Sequence, residues 1–411
     1  MKISAALDSS EVWQEFVEYK RESGHLNRDE ERKWSTFLEE RAYLPVAVAI
    51  RAGECFPPPR RSEISKLNSE KKRVVYTYPD AENRVLKLIT YLLQRKYDTL
   101  FAENLYSFRP GKSVRHAVAQ FVRMNGIRQM WSYKVDIHNY FNSVPVERMV
   151  PMLYRVLEEE PELARFLASL LENPLVESNG NFIPEQKGIM AGVPFSTFLA
   201  NLYLREMDLF FEKAGILYAR YSDDVIVFAE TEALRDEYAA KIGGFLAEAG
   251  LSVNPEKEMK TGPGEAWVFL GVCFRDGVVD VAPVSVVKLK AKMRRKMRAL
   301  ERWQRKKGVE RIRAAKAFVR VFHEKLFENP AENELTWSRW YFPLINTADS
   351  LRKIDRYRQN CIRYLATGKR TKAAYNFRYE EMKELGYVSL VHEFYRDREK
   401  TEETAGACED K

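Results

Sequence analysis

The sequence has few cysteines and histidines, and neither residue type is arranged in the pairs that chemistry would need. Four cysteines occur in 411 residues, and none belongs to a CxxC pair. Five histidines form no HxxxH or HExxH spacing. This scarcity argues against a disulfide framework and a zinc site, and it fits a reducing compartment. The cysteines are Cys55, Cys273, Cys361 and Cys408.

Long apolar runs are also absent. No stretch approaches the ~20 apolar residues that a membrane-spanning helix needs. The start, MKISAALDSSEVWQEF, lacks the basic-then-apolar layout of a secretory signal. The composition, 45% hydrophobic and 31% charged, is that of an ordinary globular protein. We therefore expect a soluble, cytoplasmic protein with no membrane partner and a length that suits two or three domains.

Positive charge is concentrated in one stretch of the chain. The net charge is +8, yet residues 285–320 contain fifteen Lys or Arg and only two Glu. A basic stripe on a near-neutral body predicts a polyanionic partner, and the interleaved Trp303, Phe318 and Phe322 favour nucleic acid. The alternative interpretation is a solvated helix face.

Strand and helix patterns alternate up to about residue 275, and the chain then becomes helical, which predicts an α+β protein with a helical appendage. Strands are predicted at 72–79, from 131, at 216–221 and 225–230, and at 267–274. Helices are predicted at 81–101 and 232–251, and from Ser196, which is expected to cap its helix. The predicted regions are an N-terminal helical extension (1–70), a mixed region (71–280), a basic helical region (281–400) and a disordered tail (401–411). Inward-facing positions are predicted at Leu289, Met293, Met297 and Leu300, and at Ile312, Ala315, Val319 and Phe322.

An acidic pair interrupts the apolar segment RYSDDVIVFAE at 220–230. Asp223 and Asp224 lie between two short strand patterns that predict a hairpin. Burial of either carboxylate without a partner is costly, so the pair is either a water-exposed turn or a site where divalent cations keep it ionised. Asp136, at the end of an upstream strand, converges on the hairpin if the two strands pair. Such carboxylates can hold two Mg²⁺ ions about 4 Å apart for phosphoryl displacement.

Six ordered motifs over residues 72–275 resemble those of reverse transcriptases. YSDD is similar to their YxDD signature, and VDIHNYF is similar to their first catalytic motif, in which an aromatic residue follows an Asp by five positions. GIMAGVPFSTFLANLYL and ENLYSFRPGKSVRHAV resemble the QGxxxSPxLANxYL and YGFRPGRSAxxA stretches of intron-encoded bacterial members. GLSVNPEK and FLG resemble the two motifs that follow YxDD.

This resemblance implies a right-hand polymerase fold with fingers, a palm and a basic helical thumb. It also implies synthesis of DNA from dNTPs on an RNA template, with two Mg²⁺ ions for which Mn²⁺ can substitute. Asp136, Asp223 and Asp224 would be the catalytic residues. The same three residues and Ile137 would be the metal ligands.

The resemblance assigns further residues to substrate binding. The Phe141 ring would exclude a 2′-hydroxyl and so select dNTPs, whereas without the motif it would be a core aromatic. Gly192 would let the backbone approach the nascent base pair. Lys257 would lie near the pyrophosphate as a proton donor. The implied nucleotide-binding residues are Arg73, Arg84, Phe141, Gly192 and Lys257. The implied nucleic-acid-binding residues are Arg109, Lys112, Arg294, Arg295 and Lys296.

Two positions depart from the family pattern: Ala191 replaces the usual Gln, and Thr197 replaces the usual Pro. Because alanine cannot donate a side-chain hydrogen bond, nucleotide positioning or fidelity is expected to differ. The stretches FLEERAYLPVAVAI and TWSRWYFPLINTADSLRKIDRYRQNCIRYL resemble domesticated bacterial reverse transcriptases of the "unknown group", several of which defend against phage. We expect the stand-alone form of that branch, which copies a noncoding RNA.

Two other functions stay open. One is a maturase-like protein that binds RNA without synthesis, although the intact acidic residues argue against it. The other is a DNA-templated or untemplated polymerase. RPGKS is not a P-loop, because Tyr106 stands where GxxxxGK[ST] needs Gly. Template identity, primer and oligomeric state are not determined by the sequence.

Overall fold

The computed structural model describes residues 2–23, 26, 28–65, 72–327 and 336–409. Up to Phe269 the helices are α1 (Ile3–Ala6), α2 (Ser10–Glu22), α3 (Arg28–Glu39), α4 (Tyr43–Arg51), α5 (Asp80–Lys96), α6 (Val114–Arg123), α7 (Tyr140–Ser143), α8 (Val146–Val156), α9 (Pro161–Glu172), α10 (Ser196–Tyr203), α11 (Arg205–Lys213) and α12 (Glu232–Glu248). The strands are β1 (Arg60–Ser65), β2 (Lys72–Thr77), β3 (Trp131–Asp136), β4 (Leu175–Ser178), β5 (Asn181–Pro184), β6 (Tyr218–Tyr221), β7 (Asp224–Ala229), β8 (Met259–Thr261) and β9 (Trp267–Phe269).

From Val272 onward two further strands precede a helical region. They are β10 (Val272–Arg275) and β11 (Val278–Val281). The helices are α13 (Pro283–Lys307), α14 (Arg311–Leu326), α15 (Trp337–Tyr341), α16 (Asp349–Thr367), α17 (Tyr379–Glu384) and α18 (Leu390–Glu409). None of the helices in the described part of the chain combines the length and the apolar character needed to cross a bilayer.

The chain divides into two compact units. The first contains residues 1–23 and 29–270, and the second contains residues 24–28 and 271–411. The sequence instead suggested boundaries after residues 70 and 280. The helices predicted as a separate N-terminal extension belong to the first unit, because their aromatic side chains are buried against one another and against α5.

Aromatic side chains build the N-terminal part of the first unit. Trp13 and Trp34 are fully buried, with ring centroids 6.4 Å apart. Phe16 joins α2 to α5 through the Tyr91 ring, at 5.0 Å between centroids. Large rings of this kind bury much apolar area and dominate the packing of short helices. Buried Glu160 also accepts a hydrogen bond from the Ile3 backbone N–H at 2.6 Å, which holds α1 against the same unit.

Two four-stranded sheets organise the rest of the first unit. One has the order β6-β7-β3-β8, in which every pairing is antiparallel, and α12 packs against β3 and β7. The other has the order β2-β1-β4-β5. The Tyr76 N–H in β2 donates to the Ala191 carbonyl at 2.8 Å, so the second sheet is tied to the loop that precedes α10.

The second unit packs its long helices around a shared core. α13, α14 and α16 contact one another, and the residues predicted to face inward from α13 are buried. On α14 the prediction was wrong at Ile312, which is 38% exposed because it lies in the first turn, at the edge of that core. α18 continues to Glu409, so residues 401–409 are helical where the sequence suggested disorder, and residues 410–411 lie outside the described part.

Candidate active site

A two-residue turn presents the acidic pair. Tyr221 and Asp224 are opposite each other at the ends of β6 and β7, which leaves Ser222 and Asp223 as the loop. Ser222 has φ = 60°, a left-handed conformation that two-residue hairpins require but that is strained for a serine. Its backbone N–H donates to Ser107 Oγ at 2.9 Å, and this bond helps to hold the strained turn.

Strand pairing brings Asp136 to the hairpin. β3 lies antiparallel to β7, with Asp136 directly opposite Asp224. The Ile137 N–H then donates to the backbone carbonyl of Asp223 at 2.9 Å. The pairing depends on two buried, β-branched strand segments, in which Val135 and Val225 are fully buried opposite each other. The acidic residues of two separate motifs therefore occupy one end of a single sheet.

Two lysines neutralise two of the three carboxylates. Lys257 Nζ lies 2.5 Å from Asp136 Oδ2, and Lys134 Nζ lies 2.9 Å from Asp224 Oδ1. In the described part of the chain, no Lys or Arg makes a direct ion pair with Asp223. Burial raises the pKa of Asp223, and the negative charges of Asp136 and Asp224 raise it further. Asp223 is therefore the carboxylate that most lacks a positive partner.

The predicted metal ligands lie at the same end of the sheet but do not form a complete metal site. Across the described residues, no set of three or more His, Cys, Asp or Glu side chains is arranged to hold a metal ion. Asp136, Asp223 and Asp224 do not form such a set, and two of these carboxylates make ion pairs with lysines. The donor chemistry still fits a divalent cation, because Asp136 and Asp223 supply oxygens and excess negative charge. Ile137 has no side-chain donor and can contribute only its backbone carbonyl.

A fully buried ion pair stabilises the hairpin that carries Asp223. Arg220 and Asp208 are both 0% exposed, and Arg220 Nη2 lies 2.6 Å from Asp208 Oδ2. Arg220 Nη1 donates to the Ser222 carbonyl at 3.2 Å, and Tyr218 donates its hydroxyl to Asp208 Oδ1 at 2.9 Å. Burial alone would lower the pKa of Arg220, but the Asp208 carboxylate raises it, so Arg220 stays charged.

The pair is continuous with a second group of buried polar residues. Asn201 Nδ2 donates to the Ser107 carbonyl at 2.8 Å, and the Asn201 carbonyl accepts from Arg220 at 3.2 Å. The sequence interpretation missed Arg220, Asp208, Asn201 and Ser107. One signal was available, because charged Arg220 stands inside the apolar stretch ILYARY.

Phe141 lies half-buried beside the hairpin, at the edge of an aromatic group. Its ring is 6.4 Å from Phe108, edge to face, and Phe108 is 6.3 Å from Tyr221. Its backbone carbonyl accepts from the Ile189 N–H at 2.8 Å. A Cβ at Gly188 would lie 2.5 Å from that carbonyl, so only glycine fits there. The loop before α10 thus fixes the position of Phe141.

Gly192 brings the same loop against β2. It has φ = +99°, and a Cβ at this position would lie 2.9 Å from the Tyr76 carbonyl. Next to it, the Ala191 N–H donates to Asn142 Oδ1 at 2.9 Å. Thr197, the second departure from the family pattern, accepts from Gln94 Nε2 at 3.1 Å. These hydrogen bonds connect the loop before α10 to α5, to β2 and to the segment that contains Phe141.

The two arginines predicted to hold a triphosphate differ in their surroundings. Arg73 is exposed in β2, opposite Ile64. Arg84 is only 2% exposed, stacks on the Trp34 ring at 4.4 Å and pairs with Asp80 at 2.7 Å. That enclosure places Arg84 in the packing between α5 and α3. Of the two, only Arg73 is open to a ligand.

Arg109 and Lys112 are held by protein groups. Arg109 is 8% exposed, pairs with Asp98 at 2.7 Å and donates to the Ala102 carbonyl at 2.6 Å. Lys112 makes an ion pair with Glu103. The Arg109 guanidinium thus holds the loop between α5 and α6, and its contact with nucleic acid stays a prediction. In the second unit, Arg294 and Arg295 are exposed on α13, and Lys296 is half-buried.

Comparison with known proteins identifies the family. The family model "Reverse transcriptase (RNA-dependent DNA polymerase)" matches residues 64–274, just over half of the chain. The chain belongs to the reverse transcriptase family. This membership confirms the predicted right-hand polymerase fold.

Individual relatives are distant and longer. The "Group II intron-encoded protein LtrA" of Lactococcus lactis is 24% identical over 191 residues, which are 46% of this chain and 31% of that protein. The "Uncharacterized 91 kDa protein in cob intron" of Schizosaccharomyces pombe is 27% identical over 158 residues, 38% of this chain and 19% of that protein. The matches thus span a fifth to a third of these relatives. Apo telomerase from Candida tropicalis is a solved structure with TM-score 0.49 at 11% identity, covering 80% of this chain and 60% of that one.

Proposed function

We propose that this reverse transcriptase synthesises DNA on an RNA template by metal-assisted nucleotidyl transfer. The observation that carries the proposal is the convergence of Asp136 and Asp223 on one sheet end, with Asp223 left without a cation of its own. Asp136, Asp223 and the Ile137 carbonyl would hold divalent cations, with Asp224 beside them. Bound Mg²⁺, or Mn²⁺ in its place, would lower the pKa of the attacking hydroxyl and neutralise the departing pyrophosphate.

The remaining groups bind and orient the substrates. The half-buried Phe141 ring would lie under the sugar of the incoming dNTP and leave no room for a 2′-hydroxyl. Exposed Arg73 would contact the triphosphate, as an Arg fork suits phosphate geometry. Lys257, which now pairs with Asp136, would exchange that carboxylate for the pyrophosphate and hold a proton at Nζ. Arg294, Arg295 and Lys296 would contact the nucleic-acid backbone.

Primer extension on matched templates tests the proposal. Purified protein, Mg²⁺ and dNTPs are incubated with a DNA primer annealed to RNA, with the same primer on DNA, and with the primer alone. We expect extension on RNA that is lost in Asp223→Asn. Asp276→Asn is the matched control, because Asp276 is an exposed turn residue with φ = 48°, a conformation that Asn tolerates equally well. Extension that persists in Asp223→Asn would contradict the assigned site.

The same assay separates the alternatives. Extension that is as fast on DNA, or that occurs without a template, would indicate a different polymerase class. RNA binding with no extension in any reaction would indicate a maturase-like binding protein. These results differ in which reaction yields product, so each rival function predicts its own pattern.

The biological setting belongs to the same proposal. The likeness of two stretches to domesticated bacterial reverse transcriptases supports a noncoding RNA template, a cytoplasmic location and a role in antiphage defence. Sequencing of the RNA and DNA that copurify with the protein tests this setting. One enriched structured RNA, with DNA complementary to it, is the expected result. A broad sample of cellular transcripts would contradict it.

A further inference from the structure

A groove opens on the second unit, between α14, the end of α13 and the turn after α17. Its volume is about 770 Å³. Trp303, Val319 and Leu385 contribute apolar surface to its wall. Trp303 is 39% exposed, although Met293, Met297 and Leu300 before it on α13 are buried in the core. A large ring left open to solvent at the wall of a groove is a surface on which a flat ligand can stack.

The edge of the groove is basic. Arg313, Lys316 and Arg320 line it and are exposed, and their spacing of three and four residues places them along one face of α14. Glu324 is the one acidic residue among the described residues that line the groove, and it lies 4.0 Å from Arg320. An exposed pair at that distance contributes little, so the edge keeps an excess of positive charge.

Two further residues shape the groove. Gly386 has φ = +88°, and a Cβ there would lie 4.0 Å from Val319, so the turn after α17 packs closely over α14. His323 lines the groove with Nδ1 buried and without a hydrogen-bond partner. Burial lowers the pKa of His323, and the nearby Arg358 lowers it further, which favours the neutral ring.

We propose that this groove binds an unpaired stretch of nucleic acid, with a base stacked on Trp303 and phosphates contacting Arg313, Lys316 and Arg320. An aromatic surface next to a row of cations is the pattern that single strands need, because each base offers a flat face and each linkage a negative charge. A duplex hides its bases and offers only phosphates. The contact lies entirely within the second unit and requires no DNA synthesis.

Binding is measured by fluorescence anisotropy with labelled single-stranded RNA, single-stranded DNA and duplex. The protein carries Asp223→Asn and receives no dNTPs, so the result does not depend on polymerase activity. Trp303→Leu should weaken single-strand binding about tenfold, equivalent to about 1.4 kcal/mol, and Trp303→Phe should retain most of the affinity. Tyr375→Leu is the matched control, since Tyr375 is 60% exposed in the second unit and does not line the groove.

The contribution of Arg313 and Lys316 is measured separately, from the salt dependence of binding. Arg313→Gln with Lys316→Gln should reduce the slope of log affinity against log salt by roughly 0.7 per lost phosphate contact. Lys353→Gln with Arg356→Gln, two exposed residues of α16, is the control for the same change in net charge. If Trp303→Leu weakens binding of single-stranded RNA alone, or of single-stranded RNA and DNA alike, the proposal is supported, and the result shows which strand the groove accepts. Unchanged single-strand affinity in Trp303→Leu, or an equal loss on duplex, overturns it.

Discussion

Breaking the buried Arg220–Asp208 pair should destabilise the protein strongly and inactivate it. In Arg220→Met, the Asp208 carboxylate would stay fully enclosed and lose the three hydrogen bonds that Arg220 donates to it, at 2.6, 2.8 and 3.1 Å. Removal of one partner of such a pair costs about 3–5 kcal/mol, because an unpaired charge remains buried. The Ser222 carbonyl also loses a donor, so the strained turn that carries Asp223 is released.

The assay combines urea unfolding with primer extension. Replacing both partners, in Arg220→Met with Asp208→Leu, should recover much of the lost free energy of unfolding, since no buried charge is left, but not the activity. Arg32→Met is the control within the same unit. Its pair with Asp29 is 79% and 74% exposed, so its loss should cost less than about 1 kcal/mol. An Arg220→Met protein that unfolds at the wild-type urea concentration would refute this reasoning.

Three further predictions concern the loop and ring beside the hairpin. Phe141→Ala should raise the ratio of rNTP to dNTP incorporation at least about tenfold in primer extension, because the ring proposed to exclude a 2′-hydroxyl would be gone. Gly192→Ala should lower the free energy of unfolding by about 1–3 kcal/mol, and by more than Gly215→Ala, where nothing lies within 4 Å of the added Cβ. Burial lowers the pKa of Lys187 to about 8, so the unfolded chain binds more protons between pH 8 and 10.5. Wild type should therefore gain about 2–3 kcal/mol over Lys187→Met as pH rises through that window, measured by urea unfolding.

Local patterns predicted the elements that carry the site. The strands beginning at Trp131 and flanking Ser222 were predicted from runs of β-branched and aromatic residues, and β3, β6 and β7 lie there. The strand predicted at 267–274 is interrupted, because Leu270 and Gly271 both have positive φ. Alternation of side chains along a strand is a local property, so sequence records it well. Residues that adopt positive φ within a strand pattern are harder to predict from sequence.

Side-chain partners were harder to predict, because they come from distant parts of the chain. Arg109 stands in a family motif, yet its guanidinium is satisfied by Asp98 and backbone carbonyls. Ser196 was expected to cap α10, but its hydroxyl donates to the Met190 carbonyl at 2.9 Å, and Phe195 is the N-cap residue. Whether a polar group faces solvent or a buried acceptor depends on tertiary packing, which no local periodicity encodes.

The central claim is that Asp136 and Asp223 act together as one catalytic site. Single-turnover addition of one dNTP to an RNA-annealed primer tests it in Asp136→Asn, Asp223→Asn and the double variant. Residues that act as a unit give losses that do not add. We predict that each single variant loses at least about 10³-fold in rate and that the double variant is no slower. Losses that multiply in the double variant, or a single variant that keeps the rate of Asp276→Asn, would contradict the claim.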